Sequence, residues 1–220
     1  MRETSFMDLP TSCPALLLNE KTFLCGIDEA GRGPLAGPVS AAAVILKDDF
    51  PIGILDDSKK IKVKEREEIK NIIISESLYW GIGWASPAEI DEINILQASL
   101  LAMKRAFDSL NLSSNLSSPF SLKENVNAII DGLYVPQIPV PCTALVKADS
   151  KIPEVMAASI LAKCARDRLM EYYAIFFPQY GYEKHKGYPT KAHREAILKY
   201  GPSPIQRRSF SYRTGSATSS

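Results

Sequence analysis

The sequence is poor in the features that build zinc sites, membrane spans and export signals. Its four cysteines include no C-x-x-C pair, and it has two histidines, so the usual zinc-ligand spacing is absent. The longest apolar runs, such as 41–46, are far shorter than the ~20 residues needed to cross a bilayer. The N-terminal residues lack the apolar stretch of a secretory signal. We therefore expect a cytoplasmic protein with free thiols and no membrane contact.

The composition excludes several non-globular classes. Of the 220 residues, 45% are hydrophobic and 23% are charged, which excludes intrinsic disorder, collagen and coiled coil. A chain of this length can bury one sizeable core. We expect a flexible N-terminal arm at 1–21, one catalytic domain with a C-terminal helical extension at 22–213, and a disordered tail at 214–220. No segment is typical of a protein-partner motif, and the expected state is a monomer.

The near-zero net charge of +1 hides a difference between the two parts of the chain. Residues 1–146 contain 13 basic and 19 acidic residues, whereas residues 147–220 contain 13 basic and 6 acidic residues. A basic face attracts polyanions such as nucleic acids. The alternative is that the basic excess is spread over a solvated surface.

Apolar runs and helical spacings predict an α/β fold. Two hairpin strands followed by alternating helices and strands indicate a mixed sheet of about five strands, with helices on both faces and a helical C-terminal region. Ser86, Pro87 and Glu89 form a capping-box pattern that predicts one long helix to about Leu110. Residues 111–125 are rich in Ser and Asn and are predicted to be a flexible loop. The strands are predicted at 23–29, 39–46, 79–85, 126–131 and 142–149, and the other helices at 63–78, from 153 to 172 or beyond, and at 190–200.

Four acidic residues stand at the ends of predicted apolar strands: Asp28, Glu29, Asp131 and Asp149. Strand ends that meet at one sheet edge would bring these acids together, and divalent cations would offset their repulsion. Oxygen ligands favour Mg²⁺ or Mn²⁺ over zinc. Adjacent strand residues face opposite ways, so Asp28 and Glu29 can share a site only if the strand ends or bends between them. Alternatively, each acid is a turn former or a helix cap.

The glycine-rich segment Gly31-Arg32-Gly33 directly follows the first two acids. Glycines let backbone N–H groups approach a phosphate or a sugar closely. A single G-R-G tripeptide is also common in ordinary turns. Its position beside the two acids is what favours a binding role for this one.

Together the motifs resemble the ribonuclease HII family. The resemblance covers roughly residues 22–212 in order. The G-R-G loop favours this family over the sister ribonuclease HIII family, which lacks that form of loop and usually has an extra N-terminal domain that about 20 leading residues cannot supply. The motifs are DEAGRGPLAGPV at 28–39, LDDSKK at 55–60, AIIDG at 128–132, ADSKIPEVMAASILAKCARDR at 148–168, YGYEKHKGYPTKAH at 180–193 and RRSF at 207–210.

The resemblance implies a ribonuclease H-like fold and cleavage of the RNA strand of RNA/DNA hybrids. It also implies incision on the 5′ side of single ribonucleotides in duplex DNA, leaving 3′-hydroxyl and 5′-phosphate ends. By the same resemblance, Asp28, Glu29, Asp131 and Asp149 hold two divalent metals, one activating water and one stabilising the leaving oxygen.

The resemblance also assigns residues that contact the substrate. Gly31, Arg32 and Gly33 would read the 2′-hydroxyl, which distinguishes RNA from DNA, and Tyr188 would pack on the neighbouring sugar. Without the resemblance, Tyr188 is a loop residue that covers the core, and the lysines belong to a solvated surface. Contacts to backbone phosphates would give affinity without sequence specificity. The basic candidates are Lys59, Lys60, Lys163, Arg166, Lys184 and Lys186.

Two alternative functions remain at this point. Another ribonuclease H-like nuclease, such as an exonuclease or a resolvase, would cut substrates made only of DNA. A nucleic-acid binding module of the same fold would bind the duplex without cutting it. The four acids argue against the binding module, because a pure binder has no reason to hold carboxylates beside a polyanion.

Overall fold

The computed structural model describes residues 22–56, 58, 61–110 and 125–211. The predicted arm at 1–21, the predicted tail at 214–220 and all of the predicted loop at 111–125 except Asn125 lie outside these residues. The strands are β1 Phe23–Ala30, β2 Val39–Leu46, β3 Ser77–Ala85, β4 Val126–Asp131 and β5 Cys142–Leu145. The α-helices are α1 Val63–Glu76, α2 Pro87–Asp108, α3 Pro153–Phe176, α4 Tyr182–His185 and α5 Lys191–Tyr200.

The five strands form one mixed sheet in the order β3-β2-β1-β4-β5. The pairs β1–β2 and β2–β3 are antiparallel, whereas β1–β4 and β4–β5 are parallel. This arrangement confirms the predicted α/β class, the five-strand mixed sheet and the helical C-terminal region.

Two apolar cores lie on opposite faces of the sheet. One lies between the sheet and α2, and it includes Cys25 and Ile27 of β1. The other lies between the sheet and the helices α1 and α3, and it includes Ala42 and Val44 of β2. All eight residues of β2 are buried, because the strand has neighbours on both edges and helices on both faces.

The helix α2 begins as predicted but is interrupted. The Ser86 hydroxyl accepts from the Glu89 N–H, and the Glu89 carboxylate accepts from the Ser86 N–H at 2.8 Å. At Asn94 the backbone leaves the helical region, with φ 68. The Asn94 side-chain oxygen accepts from the N–H groups of Leu96 and Gln97, so it caps a second helical stretch. The predicted long helix is confirmed as Pro87–Asp108, and the kink at Asn94 is a feature that the prediction does not include.

The region around Asp149 also differs from the prediction. The strand β5 ends at Leu145, and Asp149 lies in a 3-10 turn, Ala148–Ser150. Lys147 takes a left-handed conformation, with φ 59, and this stops the extended chain. The Ala148 N–H donates to the Asp131 carboxylate at 2.8 Å, which holds the turn against the end of β4.

The expected break between Asp28 and Glu29 does not occur. Both residues pair with β2, and β1 continues to Ala30 before the chain turns at Gly31, where φ is +98°. The pairing of β1 with β4, however, ends at Ile27. From Asp28 onwards β1 therefore has no paired residue on its β4 side. Asp28 and Glu29 both line the cavity that opens there.

The helix α3 packs closely on the sheet. A Cβ atom added to Gly26 of β1 would lie 2.1 Å from the carbonyl carbon of Glu154 in the first turn of α3. Glycine is therefore required at this contact for its lack of a side chain. Among the residues that the structure describes, no helix is both long and apolar enough to cross a membrane.

We predict that Gly26→Ala lowers the free energy of unfolding by about 3 kcal/mol, because the new methyl group collides with backbone that cannot move aside. Urea denaturation measures the change. Gly53→Ala is the matched control, since a Cβ atom there meets no atom within 4 Å. Equal denaturation midpoints for the two variants would contradict the close packing of α3 on β1.

Candidate active site

A cavity of about 450 Å³ opens where β1 and β4 end at the carboxyl edge of the sheet. This is the edge at which parallel α/β sheets commonly bind ligands. The lining residues are Asp28, Glu29, Ala30, Gly31, Arg32, Gly33, Ser58, Arg66, Asp131, Ser159, Lys163 and Tyr188.

Strand register brings the acids together. In the parallel pair, Ile27 lies opposite Ile130, so Asp28 and Asp131 are the next residues on neighbouring strands. Neighbouring strands are about 4.8 Å apart, and residues at equivalent positions face the same way. Asp149 joins them from the turn after β5. Carboxylate oxygens of Asp28, Asp131 and Asp149 lie within 4.8 Å of one another.

Asp28 is the most enclosed of these acids. It is 4% exposed, and its carboxylate accepts from the Glu29 N–H at 2.7 Å. It also hydrogen-bonds to Ser159, whose hydroxyl lies 3.0 Å from that of Ser58. Burial raises the pKa of Asp28 well above its usual range, and the negative charge of Glu29 raises it further. The ionised form is therefore costly in the absence of positive charge.

Glu29 lies beside the three-carboxylate group but is held differently. Its carboxylate accepts from the Arg32 guanidinium at 3.2 Å. Burial raises the pKa of Glu29, and the nearby Arg32 charge opposes that rise. Of the four predicted acids, the structure thus brings three into one cluster and places the fourth on the same cavity wall in an ion pair.

The glycine loop, defined as residues 31–38, wraps around two buried arginines. Arg207 donates to the carbonyls of Gly31, Arg32 and Gly37. Arg166 donates to the carbonyls of Ala36 and Pro38. The loop is therefore fixed by side chains from α3 and from the C-terminal region.

Tyr188 lines the same cavity and lies beside the glycine loop. It is 40% exposed, and a Cβ atom on Gly33 would lie 3.6 Å from its ring. The ring lies 5.9 Å from the Lys163 ammonium group. The tight turn before it contains Gly187 at φ +84°, and a Cβ atom at Gly187 would lie 2.5 Å from the Ala36 carbonyl oxygen. The predicted tyrosine and glycine loop thus meet in one cavity.

The predicted basic residues occupy different environments. Lys163 lines the cavity and pairs with Asp167 at 2.7 Å, and Lys184 is exposed. The Lys186 ammonium group pairs with Glu171 at 2.6 Å, and both residues line a different pocket. Lys59 and Lys60 lie outside the described residues.

Arg166 corrects the prediction of an exposed basic face on α3. It is 1% exposed, because three backbone carbonyls, those of Ala36, Pro38 and Lys186, enclose its guanidinium group. The i, i+3 spacing from Lys163 places both residues on one side of the helix. That side is covered by the glycine loop at Arg166.

The cavity also contains residues that the sequence analysis does not single out as site residues. Arg66 of α1 lines it, donates to the Ile61 carbonyl at 2.9 Å and lies 3.6 Å from the Asp167 carboxylate. Arg207 supports it from the C-terminal region. The motif RRSF contains Arg207, but nothing in the local pattern distinguishes a buried arginine from an exposed one.

The acidic cluster has the donor chemistry of a divalent-cation site. Three carboxylates at this spacing supply oxygen ligands, which suit hard cations such as Mg²⁺ and Mn²⁺. A bound cation would also relieve the cost of ionising the buried Asp28 carboxyl. The residues present therefore fit a divalent metal ion.

Comparisons with known proteins agree with this geometry. A model of the family described as ribonuclease HII matches residues 25–213. A ribonuclease HII of Treponema denticola is 57% identical over 195 residues, which cover 85% of this chain and 97% of that protein. A ribonuclease HII of Dechloromonas aromatica is 48% identical over 187 residues, with coverage of 85% and 90%.

Solved structures give the same result. The ribonuclease H2 from Pyrococcus horikoshii has a TM-score of 0.64 at 26% identity, covering 86% of this chain and 94% of that one. The ribonuclease HII in a complex with PCNA from Archaeoglobus fulgidus has a TM-score of 0.67 at 26% identity, with coverage of 88% and 98%. The fold and the acidic edge define a nuclease of the ribonuclease H-like class.

The chain belongs to the ribonuclease HII family, which confirms the resemblance found in the sequence. It is accordingly a hydrolase, a metal-dependent endonuclease of ribonuclease H type II. This family depends on divalent metal ions, and ribonucleases H act on RNA/DNA substrates.

We predict that Asp28→Asn raises the melting temperature of the metal-free protein at pH 7. The folded-state pKa of Asp28 is raised, so the ionised carboxyl destabilises the fold at neutral pH, and this penalty disappears as the pH falls through that pKa. The gain should therefore shrink towards about pH 4, near the pKa of an unfolded aspartate. Each kcal/mol corresponds to about 2–4 °C for a chain of this size.

Thermal unfolding in EDTA across this pH range measures the effect. Saturating Mn²⁺ should reverse the order of the two proteins, because the wild type gains more from binding the cation. A lower melting temperature for Asp28→Asn in EDTA at pH 7 would show that the buried carboxylate is not under electrostatic stress.

Proposed function

We propose that this endoribonuclease cleaves the RNA strand of RNA/DNA hybrids and incises duplex DNA on the 5′ side of a single embedded ribonucleotide. The products are a 3′-hydroxyl and a 5′-phosphate. The observation that carries this proposal is one cavity that combines a carboxylate cluster, a glycine loop and a half-exposed tyrosine. The carboxylates suit phosphodiester hydrolysis, and the loop and the tyrosine suit recognition of a sugar.

The four acids are proposed to hold two divalent ions, Mg²⁺ or Mn²⁺, during catalysis. Bound at this edge, the ions would supply the positive charge that activates water and offsets the charge of the leaving oxygen. The chain keeps each acid in a defined orientation for that purpose. The Glu29 N–H donates to the Asp28 carboxylate, and the Ala148 N–H donates to the Asp131 carboxylate. The Arg32 guanidinium pairs with the Glu29 carboxylate. Asp149 supplies the third carboxylate of the cluster.

Ribonucleotide selectivity is proposed to come from Gly31, Arg32, Gly33 and Tyr188. The 2′-hydroxyl both donates and accepts hydrogen bonds, and it is the group that separates RNA from DNA at a given position. Gly33 has no side chain on the wall that it shares with Tyr188, so a sugar can approach the backbone there. The rigid tyrosine ring can then limit the sugar geometries that fit.

Backbone phosphates are proposed to contact Lys163 and Lys184, together with Lys59 and Lys60. Lys163 lies at the cavity, where its partner Asp167 neutralises part of its charge. Lys186 is engaged with Glu171, so we propose that it contributes to binding only through the general positive potential of the region. Such contacts make binding weaker at high salt without giving sequence specificity.

The first experiment uses a DNA duplex with one ribonucleotide, incubated with Mg²⁺ or Mn²⁺ beside a duplex made only of DNA. We expect a single nick on the 5′ side of the ribonucleotide and an intact control. Binding without cutting in either metal would favour the non-catalytic binding module. Cutting of the control would indicate another type of nuclease.

We predict that Asp131→Asn nearly abolishes cleavage while the fold is retained. Asparagine has the shape of aspartate and keeps an oxygen that can accept from the Ala148 N–H, but it removes a negative charge from the cation site. Multiple-turnover rates and circular dichroism test the two parts. Wild-type rates in this variant would mean that the acidic cluster is not where the chemistry takes place.

We predict that Tyr188→Ala reduces cleavage at a single ribonucleotide more than it reduces duplex binding. The ring is proposed to select a sugar geometry, so its loss affects the reacting complex rather than overall affinity. Tyr188→Phe should keep most of the activity, because it preserves the ring. Tyr172→Ala is a further control, since Tyr172 is an exposed tyrosine of α3 outside the cavity lining. An equal loss of binding and cleavage would contradict the selective role and indicate that Tyr188 is only structural.

A further inference from the structure

Two buried guanidinium groups lie beneath the proposed ribonucleotide-reading surface. Arg207 is 0% exposed and Arg166 is 1% exposed. Arg207 donates to Gly31 O at 2.6 Å, to Arg32 O at 2.9 Å and to Gly37 O at 2.8 Å. Together with the three bonds of Arg166, six hydrogen bonds run from the two side chains to backbone carbonyls.

Burying two positive charges this close together is unfavourable. Burial lowers the pKa of Arg166 to about 10, and burial together with the nearby charge of Arg166 lowers the pKa of Arg207 to about 9. Both groups nevertheless stay protonated at neutral pH. A planar guanidinium is suited to this position because it presents five N–H donors in a fixed arrangement, which lysine cannot do.

The bonds to Arg207 determine which way the loop's N–H groups point. In a trans peptide the C=O and N–H groups point in opposite directions. The carbonyls of Gly31 and Arg32 are directed at Arg207, and the structure contains no cis peptide bond among its described residues. The N–H groups in the same two peptide units, those of Arg32 and Gly33, therefore point away from Arg207.

The same two side chains join the glycine loop to the turn that carries Tyr188. Arg166 donates to Lys186 O at 2.9 Å while it also holds the carbonyls of Ala36 and Pro38. The Leu35 N–H donates to Gly187 O at 2.8 Å, and the Arg207 N–H donates to Leu35 O at 2.9 Å. One hydrogen-bonded unit thus includes both parts of the reading surface.

We propose that Arg207 and Arg166 are positioning residues that preform the ribonucleotide reader: they fix the peptide planes of 31–33 and seat the Tyr188 turn against them. This inference rests on the proposed function of the loop and the tyrosine. Neither arginine touches the substrate. Their contribution is to hold the backbone N–H groups of the glycine loop and the Tyr188 ring in one fixed relative position, although these two segments are far apart in the sequence.

Arg207→Lys is the informative variant. It keeps the positive charge but cannot hold three carbonyls in the arrangement of the guanidinium group. We expect kcat/KM on a duplex with one ribonucleotide to fall by about 10- to 100-fold, because small misplacements of orienting groups cost this much. The loss should appear in kcat rather than in duplex affinity. The Mn²⁺-induced rise in melting temperature should remain, since the carboxylates are untouched.

Arg208→Lys is the matched control. It makes the same substitution at the next residue, whose side chain is exposed. Hydrogen exchange followed by mass spectrometry supplies a readout independent of activity. The peptides covering the glycine loop and the Tyr188 turn should exchange faster in Arg207→Lys than in wild type or Arg208→Lys, while peptides from β2 should not change.

The outcomes separate the inference from the proposed function. A wild-type enzyme that cuts no ribonucleotide-containing duplex contradicts the proposed function itself. An active wild type with equal kcat/KM and equal loop exchange in Arg207→Lys overturns the positioning role alone. A lower melting temperature with unchanged kcat/KM, measured where the variant is folded, would also overturn it by showing a purely structural role.

Arg166→Lys is the second variant if Arg207→Lys fails to fold. Arg166 bonds to the Lys186 carbonyl as well as to the carbonyls of Ala36 and Pro38, so its replacement should act through both the Tyr188 turn and the glycine loop. We expect the double variant with Tyr188→Ala to lose less kcat than the two single losses multiplied together, because both changes act in part on the same ring. Fully additive losses would contradict the link between Arg166 and Tyr188.

Discussion

Mutual repulsion among the carboxylates is the constraint that the rest of the structure has to accommodate. Oxygens of Asp28, Asp131 and Asp149 lie within 4.8 Å of one another. At that separation, like charges repel by about 3–4 kcal/mol per pair at an effective dielectric constant of 20. The fold opposes this repulsion with parallel strands in fixed register, a turn tied to β4 by the Ala148–Asp131 hydrogen bond, and a core on each face of the sheet.

The buried arginines present the same difficulty with the opposite sign. Here the chain itself supplies the compensating groups, because backbone carbonyls surround both guanidinium groups. The clash that a Cβ atom at Gly31 would make with the Arg166 side chain, at 2.0 Å, shows how closely the loop packs on them. The hydrogen bonds of the two arginines thus fix the backbone of the loop that forms part of the cavity wall.

The sequence predicts the elements whose signals are local. Apolar runs identify β1, β2 and β4, and the capping box at Ser86 identifies the start of α2. The acids at strand ends predict the cluster, since strand ends of a parallel sheet share an edge. These signals suffice because the apolar pattern of a strand and the capping residues of a helix are both contained within a few consecutive residues.

Features that depend on distant partners were predicted poorly. The burial of Arg166 requires carbonyls about 130 residues earlier in the chain, and an arginine in a helix is otherwise expected at the surface. The end of β5 depends on a left-handed Lys147 and on the bond from Ala148 to Asp131. The break at Asn94 is the exception, because asparagine is a good helix cap that could have indicated a restart.

The two charged clusters differ in what completes them. Burial and the neighbouring negative charge of Glu29 make the ionised form of Asp28 costly, as its raised pKa indicates, and a bound cation would relieve that cost. The arginines are satisfied by the protein's own backbone. The loop and the tyrosine therefore hold their arrangement independently of any cation. On the proposed function, the surface that recognises the sugar is therefore preformed by the protein's own hydrogen bonds, whereas the carboxylate cluster needs bound divalent ions for catalysis.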